Sequence, residues 1–186
     1  MTTSPPISRL RLFVSVSFIF AIGCLITHPA AGQNKREHLT AQEIEVVRDS
    51  QELDKRTLVF IKAAERRVWL LTNAQAAPSK ESQKEIEKWG DLSRSTRAQL
   101  LSDLARIFDE AITNIDDAAL RSADSPLLSK SLKQLSAAST NFLTQLAPLR
   151  DRAGEGAERE ALEQTLDALE EIIEAAKKVP DVKGEK

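Results

Sequence analysis

Beyond residue 39 one pattern repeats: apolar residues stand three and four positions apart with polar residues between them. That spacing is the mark of amphipathic helices. Leu39-Thr40-Ala41-Gln42-Glu43-Ile44 opens the first of them. Thr40 is placed to cap, Glu43 to reach back to it as in a capping box, and Leu39 to staple onto Ile44. The pattern predicts one helix from there to about Asn73. Val46, Leu53, Phe60, Ala64, Val68 and Leu71 fall on one face of it, and Ile44, Val47, Leu58 and Trp69 form a second stripe. Two stripes predict two neighbours, so this helix is expected inside an assembly of helices with Trp69 in the core.

Residues 74–80, with Pro78, read as a loop. Ser82-Gln83-Lys84-Glu85 is a second capping box, opening a short helix that Trp89-Gly90 closes, Gly90 taking the left-handed cap. A long helix is predicted from about Arg94 to Arg121. Its stripe is Leu101, Leu104, Phe108, Ala111, Ile115 and Ala118, widened by Leu100, Ile107 and Ile112. Ser125-Pro126 offers a cap with proline at the first helical position. The next helix carries Leu128, Leu132, Leu135, Ser139, Phe142, Leu146 and Leu149, with Pro148 framing its end. Residues 153–156 form a turn. The last helix, about 157–179, shows Leu162, Leu166, Leu169, Ile173 and Ala176 and ends in Lys177-Lys178, which suits the helix dipole. The fold class expected is all-α: an antiparallel up-and-down bundle of four long helices, with one short helix in the first connection.

The start of the chain breaks the pattern. Arg9 and Arg11 flank an apolar stretch from Leu12 to Ile26, followed by Pro29-Ala30-Ala31-Gly32. This reads as an export signal at residues 1–32, cut between Gly32 and Gln33 because Ala30 and Gly32 supply the small side chains a peptidase needs. The stretch falls short of the roughly 20 apolar residues of a spanning helix. Phe20-Ala21-Ile22-Gly23-Cys24 offers an alternative, a lipobox that would make Cys24 a lipid anchor; retention of the segment as an uncleaved anchor is a third. The division expected is then a polar lead-in at 33–39, a helical domain at 40–179 and a disordered tail at 180–186. The expected location is periplasmic or extracellular.

Composition narrows the chemistry. Loss of residues 1–32 removes Arg9, Arg11 and the only cysteine, leaving 24 basic against 28 acidic residues and a formal charge of −4. Disulfides and nucleic acid are then excluded as a framework and a partner. His38 becomes the sole histidine and lies ahead of the first helix. Di-iron sites of the Glu-x-x-His type, haem attachment, zinc sites with nitrogen or sulfur ligands and Ser-His-Asp hydrolysis all lack their residues. No catalytic residue, cofactor or metal is expected. Asp103, Glu110 and Asp117 recur every seven residues on one flank of the third helix, and are expected on a solvated face paired with Arg106 and Arg121.

A partner surface has two candidate positions. Trp89 and Asp91 lie in "WGDL", where Trp89 either anchors a partner or, with Ile86, clamps the loop onto the bundle. Lys130 and Lys133 lie on a helix rich in Ser, Thr and Gln; the following helix holds eight acids between residues 155 and 178. Attraction between these two helices is the simpler account of that asymmetry.

The runs "LTAQEIEVVRDSQELDKRTLVFIKAAERR", "WGDLSRSTRAQLLSDLARIFDEAITNIDD" and "ALEQTLDALEEIIEAAKK" resemble an uncharacterised family of exported bacterial helical proteins. The resemblance covers most of the chain after the signal and implies a shared fold and export, with no activity or site residues. "LTAQE" is also similar to the LTxxQ motif of Spy/CpxP-type periplasmic chaperones, with Glu43 in place of the final Gln. The function expected is a non-enzymatic interaction or scaffold module of the bacterial envelope, its partner another envelope protein or a second copy. The alternative is a periplasmic helical chaperone or stress protein. Membrane contact is expected only with lipid at Cys24 or an uncleaved signal.

Overall fold

The computed structural model describes residues 37–73 and 80–178. Cys24, Gly32 and Gln33, the Pro78 loop and the tail from 179 lie outside them. The described residues are helical and contain no strand: α1 (Ala41–Asp49), α2 (Leu53–Thr72), α3 (Lys80–Trp89), α4 (Arg97–Arg121), α5 (Pro126–Leu146) and α6 (Ala157–Lys177), with a 3-10 turn at Ala147–Asp151. None of these helices is long and apolar enough to cross a membrane.

The helix predicted from residue 40 to Asn73 is two helices. The chain leaves helical geometry at Ser50, whose N–H still reaches the carbonyls of Val46 and Val47. Its carbonyl accepts from Arg56 Nε at 2.9 Å, so a side chain of α2 replaces the missing helical donor. An unbroken helix would hold residues 43 and 67 about 36 Å apart, at 1.5 Å per residue. The break folds α1 back against α2 and brings the two side chains into contact. It also overturns the second stripe. Ile44 and Val47 pack on the core from α1, whereas Leu58 and Trp69 stay on α2 and are 48% and 46% exposed.

The capping box at Thr40 forms as read. Thr40 Oγ1 accepts from the Glu43 N–H at 3.1 Å, and Glu43 Oε2 accepts from the Thr40 N–H at 2.9 Å. A further box sets the start of α4: Thr96 caps the Gln99 N–H and Gln99 reaches back, so α4 begins at Arg97 rather than near Arg94. α3 opens at Lys80, ahead of the Ser82 box, and Gly90 closes it with φ +85°. Ser125 makes no side-chain cap, although Pro126 does occupy the first turn.

α2 and α6 each pack along both α4 and α5. Leu101, Leu104, Ile107 and Phe108 of α4, Leu135 and Leu146 of α5, and Leu162, Leu166 and Leu169 of α6 are buried in one core. Removing each such side chain from water stabilises the fold by about 1.5–3 kcal/mol. Ile172, one position before the expected Ile173, completes the α6 stripe. Ser131 and Ser139 on α5 are fully buried and their hydroxyls have no hydrogen-bond partner.

Polar contacts register the ends of the helices. Arg97 donates to the Leu71 carbonyl at 3.0 Å and to Glu158 at 2.9 Å, joining the end of α2, the start of α4 and the start of α6. Arg56 near the start of α2 donates to Asn114 in the second half of α4 at 3.0 Å. Lys130 meets Asp54 at 2.6 Å, joining the first turns of α2 and α5.

Candidate interaction surface and buried ionic cluster

Glu43 is fully buried although its own helix is short and polar. Every strong donor it needs comes from the elements around it. Arg66 Nη1 reaches Oε1 at 2.7 Å; Arg67 donates to Oε1 at 3.0 Å and to Oε2 at 2.9 Å; the Thr40 N–H takes the remaining site. Arg67, itself 1% exposed, also donates to the carbonyls of Ala63 and His38. Its Nε has no hydrogen-bond partner and faces Asp103 Oδ2 at 3.8 Å. Arg66 donates to the carbonyls of Trp89 and Gly90. Two adjacent arginines of α2 thus tie the lead-in, α1 and the end of α3 to one carboxylate.

A buried charge needs such pairing, since an isolated one costs several kcal/mol to desolvate. Saturation also decides what the cluster does. With its lone pairs committed to fixed guanidinium and amide donors, Glu43 is held as a structural counter-ion, not as an acceptor for a substrate proton.

The acidic flank of α4 divides along its length. Asp103 is 2% exposed beside Arg67, Glu110 meets His38 Nε2 at 2.6 Å, and Asp117 is exposed. The expected solvated face therefore holds at Asp117 and fails at Asp103. A strict seven-residue repeat drifts by about 20° per heptad around a straight helix, so the flank turns from the core outward. Among the described residues no three His, Cys, Asp or Glu side chains gather as a metal ion would require.

Trp89 is 6% exposed, with Lys88 Nζ over its ring at 5.3 Å, and its carbonyl accepts from Thr40 Oγ1 at 2.6 Å. Its side chain is not presented to solvent. Ile86, expected to help clamp the loop, is 39% exposed. Asp91 is exposed, and the N–H and hydroxyl of Ser93 hold its carboxyl below the usual carboxylate range. Lys130 is exposed and bound to Asp54, whose carboxyl its hydrogen bond holds low. Lys133 is half-buried. Arg150, in the 3-10 turn after α5, binds Glu163 of α6 at 2.8 Å and lowers that carboxyl too, whereas Lys130 of α5 turns to α2 instead of α6. These four residues do not form one surface: Trp89 and Asp91 flank Gly90, while Lys130 and Lys133 occupy the opening turns of α5.

The outer face of α2 is the feature sequence reasoning placed wrongly. Leu58 and Trp69 stand three turns apart on it, exposed, with Lys62 and Glu65 between them. Compared with known proteins, the chain matches no family model, no curated protein and no solved structure.

Proposed function

We propose that this chain is an exported, non-catalytic helical bundle that serves as an interaction module of the bacterial envelope, with the outer face of α2 as its contact surface. The observation that carries the reading is the exposure of Leu58 and Trp69 on one helix face. Tryptophan is enriched among the side chains that dominate binding, and exposed apolar groups at helical spacing suit a partner helix or sheet. The saturation of Glu43 supports the absence of acid–base work from the interior. Export rests on the signal pattern of residues 9–32.

The architecture that fits these contacts is an up-and-down bundle of α2, α4, α5 and α6. Contacts of Arg97 with Leu71, and of Arg56 with Asn114, support opposite directions for α2 and α4. The Arg150–Glu163 pair supports the same for α5 and α6. Four rigid helices present a fixed face at little ordering cost, as a scaffold needs.

A photo-crosslinking amino acid at position 58 or 69 tests the reading in cells that make the protein. Both positions are expected to yield one discrete crosslinked species, while the exposed position 171 of α6 yields none. A ladder of many unrelated polypeptides would replace the module by the chaperone alternative. No crosslink at either position would overturn the reading.

A further inference from the structure

Leu58, Lys62, Glu65 and Trp69 are spaced four, three and four residues apart and so form one stripe along α2. Leu58 and Trp69 are about half exposed; the Lys62 side chain, 39% exposed, lies 3.9 Å from Glu65, itself 51% exposed, and 3.7 Å from Glu85 of α3. Their order has a symmetry. Apolar, basic, acidic and apolar positions lie evenly about a point midway between Lys62 and Glu65. Met from the opposite direction, the same stripe reads apolar, acidic, basic, apolar and complements itself.

We propose that the partner of this face is a second copy of the chain, its α2 laid antiparallel across the first about a two-fold axis between Lys62 and Glu65. The inference rests on the reading of α2 as the contact surface and names what occupies it. Leu58 packs on the partner's Trp69, Lys62 faces the partner's Glu65, and the axis repeats both contacts. An isologous interface requires this, residue i meeting j while j meets i. The two apolar ends sit eleven residues apart, about 16 Å, on both copies, so both seat together. A parallel pairing would set Lys62 against the partner's Lys62 and Glu65 against the partner's Glu65, so charge selects the antiparallel form.

The neighbouring helix favours the same occupant. Between Lys133 and Arg150 no residue is charged, in a chain where 29% are. Thr140 and Thr144 are exposed, and their hydroxyls donate to carbonyls of their own helix at 3.0 Å. The Asp54–Lys130 pair and the packing of α2 along α5 put this uncharged stretch on the helix beside α2. A second copy approaching Trp69 thus meets a flank that carries no like charge, and charge depletion marks the centre of protein interfaces. Three turns of paired helix lie at the small end of specific interfaces, below about 1,200 Å². The dimer is accordingly weak and concentration-dependent.

Sedimentation equilibrium of the protein produced from the full-length sequence, across the micromolar range, tests the pairing. A monomer–dimer equilibrium is expected. Trp69→Ala weakens it about thirty-fold or more. Lys62→Glu and Glu65→Lys each weaken it about tenfold, because each sets like charges across the axis. Mixing these two single variants restores association as a heterodimer, and the double variant K62E/E65K pairs as the parent does. Glu65 and Trp69 are exposed and Lys62 is half-buried beside Glu85, and helical circular dichroism is expected to stay unchanged in every variant. A protein monomeric throughout the range, or a dimer indifferent to these changes, overturns the pairing. A monomer whose position 69 crosslinks to a different protein overturns it while the broader reading stands.

Discussion

Replacing Glu43 by leucine is expected to lower the free energy of unfolding by about 3–5 kcal/mol, the cost of stranding a buried partner charge. Arg67 is 1% exposed and donates twice to this carboxylate; Arg66 donates once. Without Glu43 the nearest acid to Arg67 is Asp103, at 3.8 Å from Nε. Arg67→Met is expected to cost a similar amount, since it leaves the carboxylate short of two of its donors. The double variant Glu43→Leu/Arg67→Met should cost clearly less than the two single changes together, because well-packed apolar groups replace buried ion pairs at little loss. Urea denaturation of the four proteins measures this. A domain of this size is stable by about 5–15 kcal/mol, so the single changes are large against the whole. Single costs under about 1 kcal/mol, or simple additivity, would show that water reaches the cluster.

Gly90→Ala is expected to cost about 2–3 kcal/mol. Two causes combine. The residue sits at φ +85°, a left-handed conformation that costs an L side chain about 1–2 kcal/mol. A Cβ there would also lie 2.6 Å from Thr40 Cβ and Oγ1 and 2.7 Å from Gln42 Oε1. Thr40 cannot yield freely, because its hydroxyl caps α1 and donates to the Trp89 carbonyl. Disturbing that cap adds about 1 kcal/mol. Two other glycines separate the causes. Gly156 has φ +83° and ψ −137°, a region essentially reserved for glycine, with open space around it, so Gly156→Ala should show a backbone cost of about 1–3 kcal/mol without a clash. Gly154 has neither constraint, and Gly154→Ala should leave stability within about 0.5 kcal/mol of the parent or raise it slightly. Thermal or urea denaturation is expected to show Gly90→Ala and Gly156→Ala both clearly more damaging than Gly154→Ala. A Gly90 variant that costs under about 1 kcal/mol, less than the left-handed backbone alone, would rule out a clash with Thr40.

Local signals in the sequence were reliable where one turn of chain decided the outcome. The Thr40–Glu43 box, the left-handed Gly90 and the α4 stripe from Leu101 to Ile115 each depend on neighbours within a few residues. The break at Ser50 was not legible for the opposite reason. Helical periodicity runs through residues 44–53 without a proline or glycine, and the break is held by the Arg56 side chain and by what α1 gains when folded back. Glu43 could be read as a capping residue, but its pairing with Arg66 and Arg67 exists only once α1 reverses. The same error moved Trp69 into an expected core. A second apolar stripe needs a second neighbour along α2, and the break took half of that stripe away. Asp103 was misplaced by a smaller effect, the drift of a seven-residue repeat around a helix.

Of the two tryptophans, Trp89 is structural and Trp69 faces outward. The chain holds two, Trp69 and Trp89, so single variants isolate each. Acrylamide quenching of fluorescence in Trp89→Phe and Trp69→Phe, at dilutions where the protein is monomeric, reads their exposure directly. Red-shifted, readily quenched emission is expected from Trp69 and blue-shifted, protected emission from Trp89. Protection of Trp69 equal to that of Trp89 in the dilute monomer would contradict it and remove the proposed contact surface.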